Sequence, residues 1–375
     1  MMEKRPYKNT GTEISLLGFG CMRLPRVGTT QKIDRTEAQK MIDYAYDHGV
    51  NYFDTAWPYH AGDSELFIGE ALKKYPRDSF HLASKLPLWE LREPSDVKRI
   101  FEKQLEKCQV DYFDFYLEHN INTEFQSLSE KADAHAQLAA LKKEGKIRHH
   151  GFSFHDTADF LEQIVDQYDY DFAQIQLNYL DWDQQDAQRK YEILTQRGIP
   201  VIIMEPVRGG TLATLRPESV EIFKKADPDA SVASWAIRFA ASLPNVLTVL
   251  SGMSTMEQVV DNVATMTNFR PLSQADHGTV TAAVTAYRAT GAIPCTACRY
   301  CMDCPSGVDI PKVFAYYNNY KVKGKKASFL DEYELLGDGA QAHQCIACNQ
   351  CTEHCPQFID IPKWMQEISA FTSAD

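Results

Sequence analysis

Apolar residues fall into two kinds of stretch along most of this chain. Short continuous runs cover residues 16–20, 50–53, 80–86, 113–119, 149–154, 172–178, 200–205 and 246–250. Between them lie longer segments whose apolar positions recur every three or four residues: 35–47, 64–75, 95–108, 131–146, a segment opening at Asp156, 183–197, 230–242 and 256–266. A continuous run suits a strand covered on both faces, and the longer period suits a helix burying one face. The punctuation agrees, with His48-Gly49 stopping the first helix, Ser95 capping the third and Gly145 closing the fourth. Eight strand–helix units at about 30-residue spacing predict a closed (β/α)8 TIM barrel over residues 1–272. An open doubly wound sheet is the runner-up. It would need a glycine fingerprint, and Gly18-x-Gly20 is followed neither by the third glycine nor by a helix.

From Pro271 the pattern changes. A periodic segment over 274–290 predicts a linker helix within 273–293, and strand-like runs stop. Residues 294–375 predict a small all-α domain, with helical stretches at 313–321 and 330–336. It holds eight of the ten cysteines: Cys295, Cys298, Cys301 and Cys304, then Cys345, Cys348, Cys351 and Cys355, each run ending in Cys-Pro. The runs are internal repeats, followed by Val308-Asp-Ile-Pro-Lys312 and Ile359-Asp-Ile-Pro-Lys363. The second has the spacing of a bacterial-ferredoxin 4Fe-4S site, and the first is one residue shorter before its last cysteine. Zinc held by paired Cys-x-x-Cys knuckles is the competing reading, which the dense spacing and the Cys-Pro endings disfavour.

Charge and composition narrow the class. At 375 residues the chain has room for two domains, and a net charge of −12 speaks against nucleic acid as a partner. No apolar run approaches a membrane span, and residues 1–6 lack the apolar core of a signal peptide, so a cytoplasmic protein with no membrane partner is expected. In that compartment clustered cysteines read as metal ligands rather than disulfides.

The strand ends carry the chemistry. Asp54 ends the second run with Tyr59 in the loop beyond, Lys85 ends the third and His119 the fourth. Each alone is an ordinary buried or capping residue. Together, at the ends of adjacent strands of a barrel, they converge where such barrels place active sites. A phenol is a poor acid unless an ammonium lowers its pKa, a carboxylate aims that ammonium, and an imidazole can donate to a carbonyl oxygen. The set suits protonation of a carbonyl oxygen as hydride reaches carbon. No nucleophile elbow competes, and Cys108, at a helix end, is expected to be buried.

The stretch Asn51 to Tyr59, the pair Ser84-Lys85 and Asp114-Phe-Tyr-Leu-Glu-His119 resemble the catalytic motifs of the aldo-keto reductase superfamily, in motif order over residues 1 to about 270. The resemblance implies Tyr59 as general acid/base, Asp54 and Lys85 as its tuning pair, His119 as the carbonyl-orienting donor and Trp57 in an apolar substrate wall. It implies NADP(H) across the barrel mouth, with NAD(H) also open. The cofactor would be held by Ser153 and Gln176 at the nicotinamide, by Met204, Pro206 and Gly210 after the seventh strand, and by residues 251–262 with Asn262 at the phosphate and adenine. Asp54 and the backbone of Cys21 and Met22 would lie under it. The sequence departs from that pattern at Phe154, Met204 and Asn120. Gly252 and Gln258 stand where a lysine and an arginine often grip the 2′-phosphate, which favours cationic partners. Arg208, read as a surface residue, is the one cation proposed to replace them.

The cysteine runs resemble helical ferredoxin domains. That implies two 4Fe-4S clusters, one on Cys295, Cys298, Cys301 and Cys355, the other on Cys345, Cys348, Cys351 and Cys304, and places the chain with aldo-keto reductases carrying such a C-terminal domain. The leading expectation is an NAD(P)H-dependent reductase of a small-molecule aldehyde or ketone. The alternative is an electron-transfer protein coupling NAD(P)H through its clusters to a redox partner protein, and clusters that serve only to stabilise the helices are a third reading.

Overall fold

The computed structural model describes residues 2–8, 10–28, 30, 32–267, 269–289 and 291–373, without the side chains of Val322 and Lys323. Its strands are β1 (Lys4–Tyr7), β2 (Thr12–Ser15), β3 (Leu17–Gly20), β4 (Tyr52–Asp54), β5 (His81–Pro87), β6 (Phe113–Ile121), β7 (Ile147–Phe154), β8 (Phe172–Gln176), β9 (Val201–Met204) and β10 (Val246–Gly252). Strands β3 to β10 pair in parallel and close into a barrel in the order β10-β3-β4-β5-β6-β7-β8-β9. They are buried along almost their whole length, which is why they read as continuous apolar runs.

The helices after these strands are α1 (Arg35–Asp47), α2 (Asp63–Leu72), α3 (Ser95–Cys108), α4 (Thr123–Lys131), α5 (Ala134–Lys143), α6 (Ala158–Gln167), α7 (Asp181–Gln184), α8 (Ala187–Gln196), α9 (Pro217–Ala226), α10 (Val232–Ala241) and α11 (Met256–Met266). Boundaries of α1, α3 and α11 match the periodic segments; three local readings do not hold. Ser95 is the first residue of α3 rather than its cap, and its hydroxyl donates to Glu93. Asp96 caps the turn instead, accepting from the N–H groups of Arg92 and Glu93. The segment 131–146 is interrupted at Ala132-Asp133, where Asp133 takes a left-handed φ of 50° and separates α4 from α5. The sixth helix starts at Ala158, capped by the Thr157 hydroxyl accepting from Phe160 N–H, and not at Asp156.

The lumen is filled by side chains from alternate positions, among them Tyr52, Phe115, Leu117, Phe172 and Ile202. The antiparallel hairpin β1–β2 adds Tyr7 and Ile14 to this core, with the Tyr7 ring 5.4 Å from Phe115. It escaped the sequence reading because its strands are short and half polar.

The chain divides into two compact units, residues 1–207 with 233–272, and residues 208–232 with 273–375. A single cut near residue 272 therefore does not separate them, because the loop after β9 and α9 group with the C-terminal part. That second unit continues with α12 (Gln274–Arg288), α13 (Ile310–Lys323), α14 (Lys326–Glu334), α15 (Gln350–Glu353) and α16 (Ile361–Ser373). The Ser219 hydroxyl of α9 donates to Ala283 O of α12 at 3.0 Å. A small core of Phe314, Tyr317, Phe329, Ile361, Met365 and Ile368 joins α13, α14 and α16. Gly209 must be glycine: its φ is 63°, and a Cβ there would lie 2.2 Å from Thr296 O. No helix among the described residues is long and apolar enough to cross a membrane.

Candidate active site and cysteine centre

Neighbouring strands β4, β5 and β6 bring the predicted tetrad together. Lys85 Nζ donates to Asp54 Oδ1 at 2.6 Å and to Thr55 O at 2.8 Å, with both side chains buried. The same ammonium lies 5.0 Å from the centre of the Tyr59 ring, and that ring meets His119 edge-on at 6.2 Å. Tyr59 opens a loop in which His60 and Ala61 take φ of 53° and 54°, left-handed values that non-glycine residues rarely hold, ahead of Gly62. β6 carries a further left-handed residue, Asn120 with φ 65°, where its register with β7 shifts just beyond His119.

A buried polar network stands behind Lys85. Glu65, fully buried on α2, accepts from Ser84 Oγ at 2.7 Å, from Gln104 Nε2 and from Lys107 Nζ at 3.1 Å. Gln104 Nε2 also donates to Lys85 O at 3.0 Å. These partners fix the end of β5 from the helix side. They were illegible in the sequence because they are ordinary polar residues one and two elements away.

Electrostatics differ from the sequence expectation in one respect. Tyr59 was expected to be made more acidic by Lys85. In this structure burial first, and then Asp54, hold its pKa well above the ordinary phenol value. Lys85 Nζ is directed at Asp54 and Thr55 O, and Tyr59 remains a protonated donor. Burial, and next the Lys85 charge, depress His119 well below the ordinary imidazole value, so it is neutral. Burial raises Asp54 while Lys85 opposes it. Asp54 Oδ2 and His119 Nδ1 are buried without a hydrogen-bond partner among the described residues.

The wall beside His119 comes from residues the sequence reading passed over. Trp89, in the turn after β5, lies 5.0 Å from the His119 ring and 5.9 Å from Phe125 of α4. Trp57 instead carries Lys107 Nζ over its face at 4.1 Å.

Most residues expected to hold a cofactor lie at the same strand ends. Cys21 is buried and Met22 half-buried in the turn after β3, where Cys21 O accepts from Ser64 Oγ at 3.3 Å. Ser153 Oγ accepts from Asn120 N–H at 2.8 Å. Gln176 Nε2 donates to Asp181 Oδ2 at 2.7 Å, a carboxylate that also holds Asn178. Met204 ends β9, its sulfur facing Gln174 Nε2 at 3.6 Å, and Pro206 is buried after it. Asn262 Nδ2 donates to Ser251 Oγ at 2.8 Å. Gln258 turns back on its own loop, accepting from Ser254 N–H at 2.7 Å. Gly252 is exposed and lies under Arg23, whose Cδ would be 3.2 Å from a Cβ there. Gly210 belongs to the second unit, exposed with φ 99°. Arg208, read as a surface arginine, is buried. Cys108 is buried at the end of α3, as expected.

In the second unit the two cysteine runs share one backbone form. Ala297 and Ala347 have φ of 54° and 55°, and Arg299 and Asn349 of 71° and 66°. Ala297 N–H donates to Cys295 Sγ and Ala347 N–H to Cys345 Sγ, both at 3.4 Å. The phrase after each run starts a helix: Asp309 caps α13 through Lys312 N–H, and Asp360 accepts from Lys363 N–H at the start of α16. Cys295, Cys298, Cys301 and Cys355 line one cavity with Ile310 and Phe314. Burial raises Cys301, followed by Cys298, Cys295 and Cys355, whereas Cys351, pushed up to about 11 by burial, feels Cys345 and Cys304. The fourth cysteine of the second run thus lies with the first three of the first run, and Cys304 lies with Cys345 and Cys351. Cys355 is raised by burial, against which the N–H groups of Ile359, Gln357 and Phe358 point at its sulfur. All-thiol sets with amide donors to sulfur fit iron–sulfur clusters.

Comparison with known proteins agrees with this geometry. Residues 16–285 match the aldo/keto reductase family, and residues 294–359 match the 4Fe-4S dicluster domain. The chain belongs to the aldo/keto reductase family, as an oxidoreductase fused to a 4Fe-4S domain. It is 28% identical over 298 residues to L-galactose dehydrogenase of Arabidopsis thaliana, covering 72% of this chain and 90% of that protein. It is 32% identical over 151 residues to probable aldo-keto reductase 1 of Glycine max, a match spanning 38% of this chain and 42% of that one. Among solved structures, the holo form of aldo-keto reductase AKR11C1 from Bacillus halodurans superimposes with a TM-score of 0.63 at 25% identity, over 76% of this chain and 96% of that one.

Proposed function

We propose that the barrel reduces the carbonyl of a small aldehyde or ketone, or oxidises the matching alcohol, with a nicotinamide cofactor. The observation that carries this is the buried Lys85–Asp54 pair under the protonated Tyr59, with neutral His119 beside it. A bound nicotinamide dinucleotide would supply or accept the hydride. Ser153, Gln176 and Asn178 present amide and hydroxyl groups at its nicotinamide end, and the segment 251–262 presents Ser251 and Asn262 at the other.

Tyr59 donates its phenolic proton to the carbonyl oxygen, and Lys85 limits the cost of the phenolate left behind. His119, neutral, has a nitrogen with which to orient that oxygen. Trp89 and Phe125 give the substrate an apolar wall and exclude water. Gly252 and Gln258 bring no cation to a 2′-phosphate; the Arg23 methylenes pack on Gly252 and its guanidinium pairs with Glu205 at 3.4 Å. NADH is therefore used at least as readily as NADPH, and Arg23 is the group through which NADPH would be accommodated.

Turnover of sugars, aldehydes and ketones measured with both cofactors tests the reading; L-galactose belongs in the panel because of the plant relative. Absence of turnover with every carbonyl, together with bleaching of the cluster absorbance by NADH under anaerobic conditions, would favour electron transfer to a partner protein. Two clusters, one per crossed cysteine set, correspond to about eight iron and eight sulfide per chain.

A further inference from the structure

Side chains alternate along β6, so Phe115 and Leu117 enter the lumen with His119 while Glu118 points the opposite way, into the layer between barrel and helices. Glu118 is fully buried. Its Oε1 lies 3.1 Å from His135 Nδ1, 3.2 Å from His150 Nε2 and 3.0 Å from the Tyr170 hydroxyl, and its Oε2 accepts from Ser129 Oγ at 2.8 Å. One carboxylate oxygen has about two lone-pair directions, and Oε1 has three polar neighbours against one on Oε2.

The crowding has a simple resolution if both imidazoles turn lone pairs, not protons, toward the point that Oε1 also faces. The ligating atoms of Glu118, His135 and His150 lie within 4.8 Å of one another. Donors around a tetrahedral ion with bonds of about 2.0–2.1 Å sit about 3.3 Å apart, close to the two nitrogen–oxygen separations seen here. Ser129 and Tyr170 hold the carboxylate from outside, as partners of metal ligands do. His135, at the start of α5, is 22% exposed in its side chain and opens a route from solvent, whereas Glu118 and His150 are buried.

We propose that Glu118, His135 and His150 bind a first-row divalent transition metal, zinc suiting the nitrogen and oxygen donors, which ties β6, β7 and the start of α5 together behind His119. This site is separate from the cysteine centre and does not rest on the proposed reaction.

The test uses the full chain with its iron–sulfur centre intact. Protein treated briefly with EDTA, exposed to zinc and desalted is assayed for zinc, iron and sulfide. One zinc per chain is expected in wild type, with iron and sulfide unchanged, and X-ray absorption should show nitrogen and oxygen at about 2.0–2.1 Å without sulfur at about 2.3 Å. His135→Asn, at a partly exposed position, and Glu118→Gln should each weaken zinc binding about tenfold or more. Zinc should raise the thermal midpoint of the wild type alone. Wild type that retains no zinc, equal retention in both variants, or a sulfur shell around the zinc would overturn the proposal.

Discussion

The two centres of this chain are built in opposite ways. The barrel site is finished by the protein alone: Lys85 already meets Asp54 and Thr55, and the surrounding strands are buried along their length. The cysteine centre lies on loops with left-handed residues, and Cys348 is exposed. A modest core joins α13, α14 and α16, and beside it Cys295, Cys298, Cys301 and Cys355 line one cavity. A large barrel can hold strained, buried polar groups, because many strand and helix contacts over-determine them. A small helical unit is one that a bound inorganic centre can stabilise. The first site is built of side chains that already meet one another, and the second of cysteines that line a cavity.

Tyr59→Phe should strike the barrel site hardest, lowering kcat by about 10^2- to 10^4-fold while iron content stays at the wild-type level. Full turnover in that variant would remove Tyr59 from the chemistry. Lys85→Met should leave Asp54 buried without its cation and cost about 3–5 kcal/mol of barrel stability in urea unfolding, and adding Asp54→Asn should recover most of it. No recovery in the double variant would mean that the pair's stabilisation lies elsewhere.

For the second unit, Cys355→Ala should lose about half the iron and sulfide. Adding Cys295→Ala should remove little more, whereas adding Cys345→Ala should remove nearly all of it. The reverse pattern of losses would show that each run closes its own cluster. Gly209→Ala should destabilise the second unit by more than about 1 kcal/mol through its contact with Thr296, read as an earlier melting of the cluster absorbance.

The smallest effect expected is a pH step that does not occur. His119 is depressed in the folded state, so its neutral form is already in place above an unfolded pKa near ~6.5, and the stability that goes with it is lost only as pH falls below that value. Tyr59 is raised, so its proton stays on through neutral and mildly alkaline pH. The kcat/KM for reduction should therefore be flat from about pH 6.5 to 9. A step within that range that disappears in His119→Gln would place the imidazole pKa where burial should not allow it.

Much of the barrel was legible because its strands are buried on both faces and its helices on one, and each case leaves its own period in the sequence. The tetrad was legible for a related reason: a parallel barrel sends the ends of consecutive strands to one rim, so order along the chain predicts proximity. The two cysteine runs were legible as repeats, and their shared phrase becomes a capped helix start both times. The sequence missed β1, β2, α4, α9, α15 and α16; β1, β2 and α15 are four residues each, too short to carry a periodic signal.

What the amino-acid sequence determined by itself is the barrel, the rim that carries Asp54, Tyr59, Lys85 and His119, and the cysteine unit, because local period and ligand spacing are properties of the chain. What only the tertiary structure decided depends on contacts between distant elements. It supplied Trp89 beside His119, the Glu65–Gln104 network behind Lys85, the cavity that Cys355 shares with Cys295, Cys298 and Cys301, the burial of Arg208 and the meeting of His135 and His150 on Glu118. Burial sets the charge state of Tyr59 and His119, and burial is known only when the whole chain is packed.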